Sequence, residues 1–145
     1  MNQGCQAVTP DEIANTGKDF STTDTVGSVV RAGDEFAAAL STGGIDDAIP
    51  GRVGDVPLIG CGLYAGPAGA VAATGDGEAI AMKVTALRTY QLIEQGIDPK
   101  VIVPTVIDWF KKTTAFGIIV VSKTGFAGGS NREMAWTASE LEVPH

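Results

Sequence analysis

Strand-like runs sit towards both ends of this chain and helical periodicity only in its middle, an order that few architectures accept. TVGSVV and EFAAALS, residues 25–30 and 35–41, flank the turn residues Ala32, Gly33 and Asp34 and predict a hairpin. GAVAAT, residues 69–74, predicts a third strand. In EAIAMKVTALRTYQLIEQ the residues Ile80, Val84 and Leu87 recur at helical spacing, which predicts a helix over 78–95 closed by Gly96. Asp98 and Pro99 form a cap and first-turn pair for a second helix to about Lys112, with Pro104 expected to kink it or delay its start. GIIVVS, FAGGS and EMAWTAS, residues 117–122, 126–130 and 133–139, predict closing strands joined by turns at Lys123–Gly125 and Ser130–Arg132. A doubly wound sheet needs strands and helices in strict alternation, so the expected class is a layered α+β sandwich.

Between the hairpin and the third strand, residues 42–69 are dense in glycine and contain Pro50, Pro57 and Pro67. Such a stretch predicts little regular structure, and a loop of this length in a compact domain is usually functional. Residues 1–24 are polar, with Pro10 and Gly17, and read as a linker with one short helical turn at Asp11 to Asn15. The fold proper is expected over 25–145 as one domain without repeats.

The composition removes several functional classes. With 44% hydrophobic and 19% charged residues the 145-residue chain has the make-up of a folded domain. Its net charge of -7 repels a phosphate backbone, and neither a basic cluster nor an RNA-binding aromatic signature is present, so nucleic acid is not an expected partner. No stretch approaches the roughly 20 apolar residues that span a bilayer. The first residues lack the basic and apolar regions of a signal peptide, and the expected compartment is the cytosol. Cys5 and Cys61 fit no metal or redox motif and read as free thiols.

The single histidine, His145, lies at the end of the chain, which argues against a Ser-His-Asp triad, a Cys-His pair or a histidine-rich zinc site. No metal and no cofactor is expected. Any nucleophile here needs another base. A threonine at the start of a chain has one, because its own α-amine, with a pKa of about 8, can take the hydroxyl proton.

Four motifs point to that chemistry: T-V-G at 25–27, S-T-G-G at 41–44, P-G-R-V-G-D at 50–55 and A-T-G-D-G-E at 73–78. In this order and spacing, from about Asp24 to Gly96, the chain resembles the β-subunit of the glycosylasparaginase and plant-type asparaginase family, which are N-terminal nucleophile hydrolases. The resemblance implies half of a four-layer αββα sandwich. It also implies autocleavage between Asp24 and Thr25, which would free the Thr25 amine and make Thr25 the nucleophile. The substrate would be asparagine, N-glycosylated asparagine or a β-aspartyl peptide, and the product aspartate. An α-subunit half and a dimer of αβ units are the implied partners. Residues 1–24 would be a linker or the end of the α-subunit region.

The same resemblance assigns roles to the other motif residues. Thr42 would hydrogen-bond the nucleophile, the Thr74 hydroxyl and Gly75 amide would form the oxyanion hole, and the Gly77 carbonyl would help hold the substrate ammonium. Arg52 and Asp55 suit a free amino-acid backbone, since a guanidinium fork takes a carboxylate through paired hydrogen bonds and an aspartate takes an ammonium. Gly66 and Lys83 depart from the family, which often has an acidic or amide residue at the first position and an arginine near the second.

Plainer readings exist for each. Thr25 can simply begin a strand, Thr42 can be a turn threonine bonding nearby backbone, and Arg52 with Asp55 can be a surface ion pair. Asp76 and Glu78 can be ordinary acidic residues at a helix start. A phosphate-binding reading of TGDGE fails because it lacks both the G-x-G-x-x-G spacing and the P-loop lysine. At the level of the whole chain the alternatives are a truncated or unprocessed family member without activity, and a β-rich binding domain that shares only the glycine loops.

Overall fold

The computed structural model describes residues 24–140. The expected helical turn at 11–15, Cys5 and His145 lie outside the described residues. Strands β1 (Thr25–Ala32) and β2 (Glu35–Thr42) form an antiparallel hairpin. Its connection is the two-residue turn Gly33–Asp34, one residue tighter than expected, with Gly33 at φ 62°. Glycine at the first of two turn positions lets the backbone twist match that of the strands.

A second sheet holds β3 (Leu63–Gly66), β4 (Gly69–Gly75), β5 (Phe116–Ser122) and β6 (Phe126–Ser130) in that spatial order, all antiparallel. Three helices, α1 (Gly77–Met82), α2 (Thr85–Glu94) and α3 (Pro99–Ile107), lie between β4 and β5 in the chain. The hairpin packs on one face of the four-stranded sheet, against β4 and β5, and helices α2 and α3 pack on the other. The described residues are thus an α+β arrangement of three layers.

Strand β4 explains this layering. Ala70, Val71, Ala72 and Ala73 are all almost fully buried, because Val71 and Ala73 face the helices while Ala70 and Ala72 face the hairpin. A strand covered on both faces reads as an unbroken apolar run rather than an alternation. The main core lies on the helical side, where Val71, Ile80, Ile102, Val106, Phe116 and Val120 meet. Phe116 is fully buried and stacks on Phe110 with ring centroids 3.8 Å apart. Burial of such a side chain contributes about 1.5–3 kcal/mol.

Three expectations are corrected. The helix expected over 78–95 is two helices, broken at Lys83 and Val84, with Val84 in the left-handed region at φ 49°. A β-branched residue there costs on the order of 1–3 kcal/mol, and the contacts around the break offset it. The Ala86 and Leu87 amides at the start of α2 donate to the carbonyls of Cys61 and Gly60, and the buried Thr85 hydroxyl donates to the Ile80 carbonyl at 2.9 Å. The loop after Asp55 therefore caps α2, and helical periodicity across the break could not reveal it.

Helix α3 begins at Pro99 with Asp98 as its cap, accepting from the Lys100 amide at 2.8 Å, and runs through Pro104. It ends at Ile107, short of Lys112, because Trp109 and Phe110 turn in to meet Arg88 and Phe116. Residues 133–139, expected as a strand, have no regular structure. Asn131 ends the ladder by accepting the Phe116 amide on its own side chain. Beyond it, Met134 and Trp136 pack by side-chain contact above Gly117 and Gly128, where a Cβ would meet the sulfur at 2.7 Å and the indole at 2.6 Å. Strand β3 was not expected at all; it lies inside the glycine-dense stretch.

The break between α1 and α2 gives a stability prediction. Thr85→Val keeps the shape but leaves the buried Ile80 carbonyl without its donor, so unfolding in urea should show a loss of about 1–3 kcal/mol. An unchanged midpoint would mean that the hydroxyl does not hold the break. Among the described residues no helix is long and apolar enough to cross a membrane.

Candidate active site

The hairpin register sets the first part of the site. Thr25 opens β1, Thr42 closes β2, and the two are directly opposed. Their hydroxyls lie 2.9 Å apart, with Thr25 Oγ1 donating to Thr42 Oγ1. The Gly44 amide donates to the same Thr42 oxygen at 3.0 Å, and the Gly43 amide donates to the Asp24 carbonyl at 3.2 Å. Gly44 has φ 94°, a conformation that glycine adopts without strain.

The end of β4 supplies the second part. Thr74 and Gly75 are its last residues, and Gly75 has φ 130°. A Cβ on Gly75 would lie 2.1 Å from the Ala115 carbonyl, so no other residue fits. Asp76 caps α1 by accepting the Ala79 amide at 2.9 Å, and buried Gly77 is the first helical residue.

The third part comes from the loop 50–62, where Arg52 and Asp55 behave differently from a surface ion pair. Arg52 binds Glu78 through two parallel hydrogen bonds, Nε to Oε1 at 2.7 Å and Nη2 to Oε2 at 2.8 Å. This pair holds the Glu78 carboxyl below its ordinary range and raises the Arg52 guanidinium above its own. Glu78 is more than half exposed, so the pair adds little stability, on the order of 0–1 kcal/mol at most. Its consequence is orientation. Of the five guanidinium N–H donors, both on Nη1 and one on Nη2 stay available to another acceptor.

Asp55 is only 6% exposed, and its Oδ2 has no hydrogen-bond partner. Burial pushes its carboxyl above the ordinary range, against the opposing pull of Arg52. An unpaired buried carboxylate oxygen is uncommon in a folded protein; this one lies on the Gly62 side, whereas Oδ1 is the oxygen beside Gly77. Gly54 and Gly77 make room around the pair. A Cβ on Gly54 would meet Arg52 Nη1 at 2.9 Å, and one on Gly77 would meet Asp55 Oδ1 at 2.8 Å and Arg52 Nη2 at 3.0 Å.

A single cleft of about 470 Å³ is lined by Asp24, Thr25, Thr42, Arg52, Asp55, Thr74, Gly75 and Gly77. The motif residues given a catalytic or substrate-binding role in the sequence reading therefore border one space. Glu78 was read from the sequence only as a first-turn helix acid. Its place beside Arg52 is a tertiary contact across 26 positions, and only its presence in the same short motif as Thr74 could have hinted at it. Cys61 is a half-buried free thiol, its titration raised by burial and by Asp55. Gly66 is occupied from outside, since a Cβ there would lie 2.4 Å from the Tyr90 hydroxyl. Among the described residues no group of three or more His, Cys, Asp or Glu could hold a metal ion.

Known proteins resemble the chain over most of its length. A family profile described as "Asparaginase" matches residues 2–142. The isoaspartyl peptidase/L-asparaginase of Danio rerio is 41% identical over 128 residues, 83% of this chain and 41% of that protein. The plant-type L-asparaginase of Pyrobaculum calidifontis is 44% identical over 96 residues, covering 65% and 31% of the two chains. The N(4)-(beta-N-acetylglucosaminyl)-L-asparaginase of Mus musculus is 37% identical over 117 residues, covering 77% and 34%. The matched region thus spans about two fifths or less of each relative's length. On the strength of the profile match and of these identities, the chain belongs to the asparaginase family that includes plant-type asparaginases, isoaspartyl peptidases and glycosylasparaginases.

Proposed function

We propose that this chain is the catalytic portion of an amidohydrolase that cleaves the side-chain amide of asparagine, of N-glycosylated asparagine or of β-aspartyl peptides and releases aspartate. Thr25 is the nucleophile in this reading, after the Asp24–Thr25 bond is cut. The observation that carries it is the shared cleft: the Thr25 and Thr42 hydroxyls, 2.9 Å apart, line the same space as Arg52 and the buried carboxylate of Asp55.

The chemistry follows from those groups. Arg52 takes the substrate α-carboxylate on its free N–H groups, and Asp55, with the Gly77 carbonyl, takes the α-ammonium. The Thr25 amine accepts the hydroxyl proton as Thr25 attacks the side-chain carbonyl, while Thr42 holds the nucleophile in place. Thr74 and Gly75 donate to the developing oxyanion, each donor being worth roughly 3–4 kcal/mol. The amine leaves with the proton, and water then hydrolyses the aspartyl ester to release aspartate and restore Thr25. Arg52 and Asp55 meet only the aspartyl part of the substrate, so they are common to all three leaving groups: ammonia, a glycosylamine or a peptide amine.

The hairpin also supports a partner. It pairs with no other strand among the described residues, and Val26 and Val30 on its outer face are 68% and 52% exposed. In this reading an α-subunit half adds strands to the hairpin and helices outside it, which completes the four-layer αββα sandwich, and αβ units then pair as dimers. The same open hairpin favours a second reading, a truncated or unprocessed family member without activity of its own.

Intact-mass analysis with an aspartate assay, on the chain alone and with a separate α-subunit half supplied, separates the two. The first reading expects fragments 1–24 and 25–145 and aspartate release from at least one of the three substrates. A chain that stays whole and inert in both settings would leave the second.

A further inference from the structure

Arg52 stands on the least constrained part of the cleft and Glu78 on one of the firmest. Residues 43–58 hold no helix or strand, and Gly51, next to Arg52, has φ 90°. The Arg52 amide donates to the Ile49 carbonyl at 2.9 Å, but its guanidinium hydrogen-bonds, among the described residues, to Glu78 alone. Glu78 follows Thr74 and Gly75 closely in the chain and moves with them. Between them, the Asp76 amide donates to the Ala115 carbonyl at 2.8 Å, and the Asp76 side chain caps α1. Ile80, just beyond Glu78, is fully buried in the core.

We propose that Glu78 is a positioning residue that sets the length of ligand the cleft accepts. By tethering Arg52 to the segment that carries Thr74 and Gly75, it fixes the span from the carboxylate anchor to the reacting end and so selects aspartyl over glutamyl ligands. The inference rests on the reading of Arg52 as the ligand of the α-carboxylate.

The form of the tether supports a role in geometry rather than in stability. Glu78 takes Nε and Nη2, one edge of a planar fork, so the plane and direction of the opposite edge are fixed as well. Gly54 and Gly77 lie against Nη1 and Nη2 on that free edge, with no side chain to block it. An arginine without such a partner keeps the rotamer freedom of a long side chain and can follow a ligand one methylene longer. A fixed one cannot, and a misplacement of about 1 Å at a reacting centre costs on the order of 100-fold in rate. Glu78 itself is more than half exposed, so its removal opens no cavity and should leave folding almost unchanged.

Ligand length is therefore the readout. L-Aspartate and L-glutamate share their α-groups and differ by one methylene, and their side-chain carboxylates stand in for the substrate amide. NMR titration of the full chain, alone and with an α-subunit half supplied, gives a Kd for each. The unmodified protein should bind L-aspartate at least about tenfold more tightly than L-glutamate, the scale of one methylene in a fitted site. In Glu78→Ala that gap should close to about threefold or less, chiefly through weaker binding of L-aspartate. Glu78→Gln can accept only one of the two guanidinium bonds and should fall between. The urea midpoints of both variants report folding and should stay close to that of the unmodified protein.

A partner that merely steadies the loop would weaken both ligands alike. Equal weakening in the variants, an unchanged gap, or no gap in the unmodified protein overturns the proposal and leaves the amidohydrolase reading standing. An unmodified protein that binds neither amino acid in either setting overturns the substrate reading itself, and this inference with it.

Discussion

Thr25→Ala is expected to abolish both cutting between residues 24 and 25 and the release of aspartate from every candidate substrate, while the protein still folds. In the proposed reading the two losses have one cause, since the same hydroxyl would attack the Asp24 carbonyl once and the substrate carbonyl in each later turnover. The structural cost is small. Alanine removes one hydrogen bond to Thr42 at the open end of the hairpin, which is worth about 0.5–1.5 kcal/mol. Rate effects are of another size, because loss of a nucleophile forfeits the covalent route and leaves only what the oxyanion donors and binding groups contribute. Thr25→Ser, which keeps a hydroxyl, should retain measurable cutting. The check is intact mass over time together with free aspartate. An alanine variant that still yields fragments 1–24 and 25–145 would remove Thr25 from the processing step, and one that arrives pre-cut and active would remove it from both.

What could be read without coordinates differs between the fold and the cleft. The hairpin, β4, β5, β6 and the start of α3 announce themselves through local signals: apolar runs, Gly33 in a tight turn, and Asp98 before Pro99. The break at Val84 does not, because it is stabilised by the carbonyls of Gly60 and Cys61, which come from a distant loop. Strand β3 was hidden for a related reason. Only the neighbouring β4 makes Leu63–Gly66 a strand, in a stretch whose glycines argue locally against one. Residues 133–139 misled in the other direction, having strand-like composition but packing as an irregular segment once Asn131 ends the ladder. The cleft residues were legible through the resemblance that the four motifs carry together, since Thr25, Thr42 and Thr74 taken singly read as ordinary strand or turn threonines. Their partnerships were not legible. The plainer reading of Arg52 and Asp55 pairs them with each other, whereas Arg52 turns to Glu78 and leaves Asp55 Oδ2 unpaired.

That unpaired carboxylate gives the second large effect, and its sign is opposite for the empty and the occupied protein. Burial holds the Asp55 carboxyl above its unfolded value of about 3.9. A carboxylate whose folded pKa is raised favours the folded state most below the unfolded pKa, and that contribution is lost as pH rises through the folded pKa. In the empty cleft Asp55 therefore lowers stability near neutral pH, and Asp55→Asn should leave the protein at least as resistant to urea at pH 7. In the proposed reading substrate binding reverses the preference, because an α-ammonium beside Asp55 would need the charged carboxylate. Affinity for an aspartyl ligand should fall as pH drops through the raised Asp55 pKa, with a midpoint above the ordinary carboxylate range. Asp55→Asn should erase that limb and lower kcat/KM by about 100-fold or more, the scale set by removing one partner of a buried charge pair. Urea unfolding at pH 7 and a pH profile of kcat/KM for both proteins make the test. A variant that is equally stable but keeps kcat/KM within about threefold and the same acid limb would show that the ammonium is held elsewhere. Arg52→Ala gives the complementary test, since it removes the proposed carboxylate ligand and frees Glu78, and it should leave the Asp55 acid limb in place.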